Sequence, residues 1–296
     1  MNVLQTVVRE QSQGTGTTGT TTTDVPRAHA ISVIRYKMRW THASAITGAI
    51  SKVELLINGN KPAVSMSHAI LRKINKHLHR VFTLESGAGG AEHIINGAIY
   101  FGRDSRDTMA LPGGINPENR ALWFQSVQLQ LTWDTGGTTP TGVFLTVTVE
   151  ENRDLDGKAT VAYKYSALKT YTPAASQPET TEVPRGVFCV GISVDYADAD
   201  NVDGDNVVFG VDNFALRLFD APHLTIEENN RQDNDYDDAT LPPTNFYLDL
   251  DKNRAGEGVD TSSYADTKLQ LKADTTGLSG TVTVSLVEIV GFIPAA

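Results

Sequence analysis

The chain has 296 residues, 40% of them hydrophobic and 20% charged, with a formal net charge of −10. That apolar share is enough to bury a core and excludes wholesale disorder, while the acidic balance disfavours bulk binding to nucleic acid. A single cysteine, Cys189, excludes an internal disulfide and any multi-thiolate zinc site, and no apolar run approaches the ~20 residues of a membrane span.

The opening MNVLQTVVREQSQGTG has no basic segment followed by an uninterrupted apolar run, so it is not read as a secretory leader, and a soluble, cytosolically made chain is expected. Val3, Leu4, Val7 and Val8 share one side of a short helical pattern. After them QSQGTGTTGTTTTDVPR holds no large apolar side chain until Val25. Residues 1–28 are therefore expected to form an extended N-terminal arm that orders only against something else.

From residue 31 a period of two sets in. Ile34, Tyr36, Met38 and Trp40 oppose Arg35, Lys37 and Arg39, and Val53, Leu55 and Ile57 alternate before an Asn58-Gly59 turn. The spacing of Leu71, Ile74, Leu78 and Val81 predicts a helix over 67–80 with Ser67 as its N-cap. A second helix is expected over 116–125, where Asn116 caps and Pro117 takes the first helical position. Val127, Leu129, Leu131 and Trp133 alternate with polar residues, as do Val143, Leu145, Val147 and Val149. The stretch 167–186, with Pro173, Pro178 and Pro184, reads as a linker between a first module at 29–166 and a second at 187–296. Strand patterns resume in the second module with Phe188–Val194, Val207–Val211, Phe214–Leu218, Phe246–Leu250 and Val282–Leu286.

The two modules resemble each other. LQLTWDTGGTTPTGVFLTVTVEE at 129–151 matches LQLKADTTGLSGTVTVSLVEI at 269–289, and SKVELLINGN at 51–60 matches DNVVFGVDNF at 205–214 more weakly. Hairpins with Thr/Gly turns can look alike without a repeat. Two copies of one all-β module account for both matches.

Catalytic signals are weak throughout. GTGTTG at Gly14–Gly19 fits the dinucleotide fingerprint literally, yet no strand–helix unit surrounds it. No GxSxG elbow occurs, Cys189 sits within an alternating strand, and the seven histidines have no ligand spacing. No enzyme is expected, and no cofactor. Acidic loops are the remaining candidates: Asp195, Asp198, Asp200, Asp203 and Asp205, and then Asp233, Asp235, Asp237 and Asp238. Calcium could be held by Asp198, Asp200, Asp203 and Asp205, although Val202 breaks the EF-hand spacing; the alternative is a solvated, self-repelling loop. Arg72, Lys73, Lys76, His77 and Arg80 give the 67–80 helix a basic face that an acidic neighbour, such as a second copy, would suit.

Three stretches carry a family resemblance. VELLINGNKPAVSMSHAILRKINKHLHR at 53–80 resembles the first jelly roll of double jelly-roll major capsid proteins, where a strand ends in an Asn/Asp-Gly turn and a short helix follows. INGAIYFGRDSRDTMALPGGINPENRALWFQSVQLQLTWD resembles that family's later strands, and NFYLDLDKN with KLQLKADTTGLSGTVTVSLVEIVGF resembles the closing strands of the second barrel. The style is that of small tailless icosahedral bacteriophages with internal membranes, corticovirus-like or finnlakevirus-like. One departure stands out: LTIEENNRQDNDYDD replaces the basic helix expected in the second barrel.

The resemblance implies an all-β fold of two tandem eight-stranded jelly rolls with an extended N-terminal arm and a few short helices. It implies a homotrimeric, pseudo-hexameric capsomer in the virion capsid. The partners would be other copies, minor capsid or vertex proteins and, through the arm, an internal membrane, with no sequence-specific nucleic-acid binding. The alternative is a carbohydrate-binding β-sandwich, as in a receptor-binding or minor virion protein. It would need exposed aromatics or paired carboxylates, whereas Trp40, Trp123 and Trp133 lie in apolar patterns.

Overall fold

The computed structural model describes residues 3–14, 18–26, 28–41, 49–79, 85–86, 92–102, 109–111, 126–134, 141–156, 161–172, 177–196, 206–234, 244–251, 258–272 and 281–291. Two compact units divide the chain: Met1–Lys164 with Val290–Ala296, and Tyr165–Ile289.

The first unit is built from β1 (Val3–Gly14), β2 (Thr18–Asp24), β3 (Ile31–Thr41), β4 (Ile50–Ile57), β5 (Lys61–Met66), α1 (His68–His79), the two-residue β6 (Glu85–Ser86), β7 (Glu92–Tyr100), β8 (Val127–Asp134) and β9 (Thr141–Asn152). One sheet runs β1-β9-β3-β7-β6, and the other strands follow the order β2-β8-β4-β5. Leaving aside the two-residue β6, which pairs with β7, the chain passes from one sheet to the other and back apart from the β4–β5 hairpin, which is the eight-stranded jelly-roll winding. Outward residues of β3 are tied laterally, with Arg35 2.5 Å from the Glu150 carboxylate and the Arg39 guanidinium over the Phe144 ring. Its inward residues Ile34, Tyr36, Met38 and Trp40 are buried, as the alternation predicts.

The second unit repeats the plan. It contains β10 (Val161–Tyr171), whose first four residues belong to the first unit, then β11 (Pro178–Glu182), β12 (Phe188–Asp195), β13 (Asn206–Val211), β14 (Leu216–Pro222), α2 (His223–Asn234), β15 (Asn245–Asp249), the short β16 (Val259–Asp260), β17 (Thr267–Lys272) and β18 (Val282–Gly291). Here the orders are β15-β12-β18-β10 and β11-β17-β13-β14. Strand for strand these match β7-β3-β9-β1 and β2-β8-β4-β5. The core packs Ile192, Val194, Phe246, Leu248, Val284 and Leu286 of one sheet with Val207, Phe209, Leu269 and Leu271 of the other. Each unit is thus an eight-stranded jelly roll, and the sequence repeat is a structural one.

Four expectations need correction. Where residues 1–28 are described they do not form an arm: β1 pairs with β9 from Val3↔Asn152 to Gly14↔Val143, and β2 pairs with β8 from Thr18↔Asp134 to Asp24↔Gln128. Backbone pairing and the strand propensity of threonine hold them where an apolar face is lacking. Where residues 167–186 are described they do not form a linker, because β10 continues to Tyr171 and β11 pairs with β17; Pro178 is tolerated at the start of an edge strand. The matched 129–151 and 269–289 segments are not hairpins, since β8 and β9, like β17 and β18, lie in different sheets. Finally, α2 occupies LTIEENNRQDN, so the second unit does have the helix. It lacks only the basic face.

Ser67 caps α1 as expected, accepting from the Ile70 N–H at 3.2 Å, and Leu71, Ile74 and Leu78 are buried. The helix expected at 116–125 and Val81 lie outside the described residues.

Candidate assembly surface

Sheet edges are the reactive places of a fold like this, because each presents a row of unpaired backbone donors and acceptors. The edges here are treated differently. In the first unit Asn75 of α1 donates from Nδ2 to the Ala98 carbonyl of β7 at 2.7 Å, and β6 pairs with the same strand. In the second unit Asn230 of α2 donates to the Tyr247 carbonyl at 2.8 Å and accepts from the Tyr247 N–H at 2.9 Å. That side chain supplies β15 with both bonds a neighbouring strand would make.

Besides β6 and β15, four strands end a sheet among the described residues: β1, β2, β11 and β14. Two are polar. β2 reads Thr-Gly-Thr-Thr-Thr-Thr-Asp and β11 reads Pro-Glu-Thr-Thr-Glu. The other two carry the exposed large hydrophobic side chains of the described residues: Val7 on β1 at 58%, and Leu216 and Leu218 on β14 at 51% and 39%.

On β14 the cause is local. The turn Asp212–Ala215 has positive φ at Asp212, Asn213 and Phe214, so Phe214 belongs to the turn and not to the strand that its alternation with Leu216 and Leu218 suggests. A register shift then opposes Phe209 to Phe219 and Gly210 to Arg217, leaving Leu218 as the extra residue of a bulge. Only Phe219 turns partly into the core. Arg217 pairs with Asp220, which the Arg217 and Asn206 hydrogen bonds hold below the usual carboxylate range.

The candidate residues from the sequence fall elsewhere. Asp198, Asp200, Asp203 and Asp205 lie outside the described residues, as do Asp235, Asp237, Asp238, Arg80 and Trp123. Asp195 ends β12. Among the described residues no cluster of three or more metal-ligating side chains occurs. Arg72, Lys73 and Lys76 are half-buried and engaged, so the basic face of α1 is not a bare cationic patch. Gly14 ends β1 and Gly19 is the second residue of β2, so these two glycines lie in strands and not at the start of a helix that could face a pyrophosphate. Cys189 is fully buried, and desolvation pushes its thiol far up. Trp40 and Trp133 are buried, as their patterns predict, so neither forms a sugar-stacking platform.

Two tandem jelly rolls in one chain define the fold class as a double jelly roll. The chain superposes on the STIV MCP with a TM-score of 0.73 at 13% identity, covering 98% of this chain and 97% of that one. It superposes on the major capsid protein of Bacteriophage PM2 with a TM-score of 0.67 at 12% identity, covering 98% and 97%. A third likeness is PBCV-1 VP54, at 0.64 and 12% identity over 97% and 94%. No family model matches the sequence, and no curated protein matches it. The likeness is one of fold.

Proposed function

We propose that this chain is the major capsid protein of an icosahedral virus, working in the virion shell as a homotrimeric capsomer in which each copy supplies two jelly rolls. The observation that carries the reading is the near-complete mutual coverage with major capsid proteins: 98% of this chain against 97% of the STIV MCP. Three copies of two similar rolls give six similar building blocks, which suits a hexagonal lattice position. The role is structural and not enzymatic. Further partners in this reading are minor capsid or vertex proteins. Residues 3–14 are engaged in β1, so the arm-to-membrane contact is set aside.

Light scattering on the purified full-length chain tests this. The expected species has three times the mass of the 32.0 kDa chain, about 96 kDa. A 32.0 kDa monomer at every concentration, with binding to a glycan array, would overturn the reading in favour of a carbohydrate-binding module. Repeating the measurement in EDTA tests calcium at Asp198, Asp200, Asp203 and Asp205: dissociation of the 96 kDa species supports it, and an unchanged mass removes it.

A further inference from the structure

The tripeptide Ile-Asn-Gly occurs twice, at Ile57-Asn58-Gly59 and at Ile95-Asn96-Gly97. An Asn-Gly step is reactive because a residue without a Cβ leaves its own amide nitrogen open to approach the preceding side-chain amide. The fold treats the two copies oppositely. Asn58 and Gly59 stand exposed in the turn between β4 and β5, with φ of 54° and 77°, and open space surrounds the position of a Gly59 Cβ. Asn96 and Gly97 lie within β7, in register with Lys37 and Tyr36 of β3, and Gly97 is buried beneath the Tyr36 ring. We propose that Asn58-Gly59 is a self-modification site, at which the folded chain converts Asn58 to an aspartyl or isoaspartyl residue while Asn96 is spared.

The Gly59 nitrogen bonds to Cγ of Asn58 and gives up its proton, while the bond from Cγ to Nδ2 breaks and ammonia leaves with that proton. One water molecule then opens the cyclic imide. Attack at Cγ restores the backbone and leaves an aspartyl residue; attack at the main-chain carbonyl carbon leaves an isoaspartyl one. Ring closure requires the backbone at the step to turn, which an exposed turn permits by a small local opening and a paired strand only by giving up ladder bonds. The Ser126 N–H donates to Oδ1 of Asn58 at 3.3 Å, drawing charge from the carbon that is attacked and facing the oxygen on which negative charge develops.

The second roll shows that the product fits. Its corresponding turn begins with Asp212, whose N–H donates to the Asp266 carbonyl at 3.1 Å as the Asn58 N–H donates to the Ser126 carbonyl at 2.9 Å. An Asp212 carboxylate oxygen accepts from the Ala265 N–H at 2.8 Å, the task that Oδ1 of Asn58 performs for Ser126. A carboxylate at position 58 therefore keeps that bond in charge-assisted form and adds one negative charge to the net −10.

The test incubates the purified full chain in mildly alkaline buffer made with oxygen-18 water, folded and in denaturant, and follows both Ile-Asn-Gly peptides by mass spectrometry. In the folded chain Asn58 is expected to convert faster than Asn96 by about tenfold or more, with one heavy oxygen per event and isoaspartyl product present. In denaturant the two copies are expected to convert at similar rates, which makes Asn96 the control for sequence. Equal rates in the folded chain, or conversion of Asn58 only after denaturation, would overturn the proposal. Aspartyl product alone would overturn the imide route. The variant Asn58→Asp is expected to unfold at the wild-type denaturant midpoint or above it, and a lower midpoint would overturn the claim that the turn accommodates the product.

Discussion

Asn75 and Asn230 stand at the eighth position of α1 and α2, and each turns its side-chain amide onto the backbone of a strand in its own unit. Asn75 makes one such bond, to Ala98, and Asn230 makes two, to both polar groups of Tyr247. A buried backbone group left without its partner costs the full desolvation of that group, about 1–3 kcal/mol. Asn230→Ala abandons two and is expected to lower unfolding free energy by about 2–5 kcal/mol; Asn75→Ala abandons one and is expected to cost about 1–3 kcal/mol. Denaturant titration of the two variants checks the order. Equal effects would mean that the helices dock by apolar contact alone.

The Tyr36 hydroxyl and Nδ1 of His68 share a hydrogen bond of 2.8 Å, and both groups are buried. Burial pushes the Tyr36 hydroxyl far above its ordinary range, and burial followed by the nearby Arg72 charge pulls His68 down to about 3. Folded His68 is therefore neutral across the working range, whereas in the unfolded chain it titrates near 6.5. Between these values the unfolded state binds the extra proton, so this contribution is complete above pH 6.5 and is lost as pH falls toward 3. At pH 5 the loss amounts to about 2 kcal/mol. His68→Gln should flatten the wild-type stability slope over that window by about 1.4 kcal/mol per pH unit, measured by urea unfolding at a series of pH values. Parallel slopes for the two proteins would remove His68 as the cause.

Gly97 makes room for the same tyrosine. It opposes Tyr36 across the β3–β7 ladder, and a Cβ built there would overlap the Tyr36 ring and hydroxyl. The second unit repeats the device with Gly191 of β12 beneath Tyr247 of β15. Gly97→Ala is expected to destabilise by about 1–3 kcal/mol through forced repacking. In a Tyr36→Ala background the same change should cost far less, and that coupling, read from a double-mutant cycle, identifies the overlap as the cause.

The sequence made the strands legible wherever one face is wet. β3, β4, β8 and β9 carry apolar residues at every second position, and those residues are buried. β2 hides the same period in a run of one residue type: Thr21 and Thr23 are buried while Thr22 and Asp24 are exposed. No hydropathy pattern can report that alternation. α2 was illegible for a related reason, since Ile226 and Asn230 mark its buried side and one of them is polar. The assembly edge was the least legible part. Leu216 and Leu218 read as core by alternation, and a turn with positive φ and a bulge turn them outward. The signal that could have found them is the repeat itself, because Asp212-Asn213 stands where Asn58-Gly59 makes the corresponding turn.

Cys189 offers a probe of integrity that is independent of assembly. It is fully buried on β12, desolvation raises its thiol well above the ordinary value, and its Sγ lies 3.8 Å from the Gly191 carbonyl. Thiolate is the reactive form, so a buried thiol held protonated reacts slowly with disulfide reagents. The native chain is expected to show no reactive thiol at pH 8 and one after denaturation. Leu218→Asp and Val7→Asp lie on exposed edges and should keep Cys189 as silent as in the wild type. Rapid reaction in either variant would mean that the substitution on that edge opens the fold around Cys189.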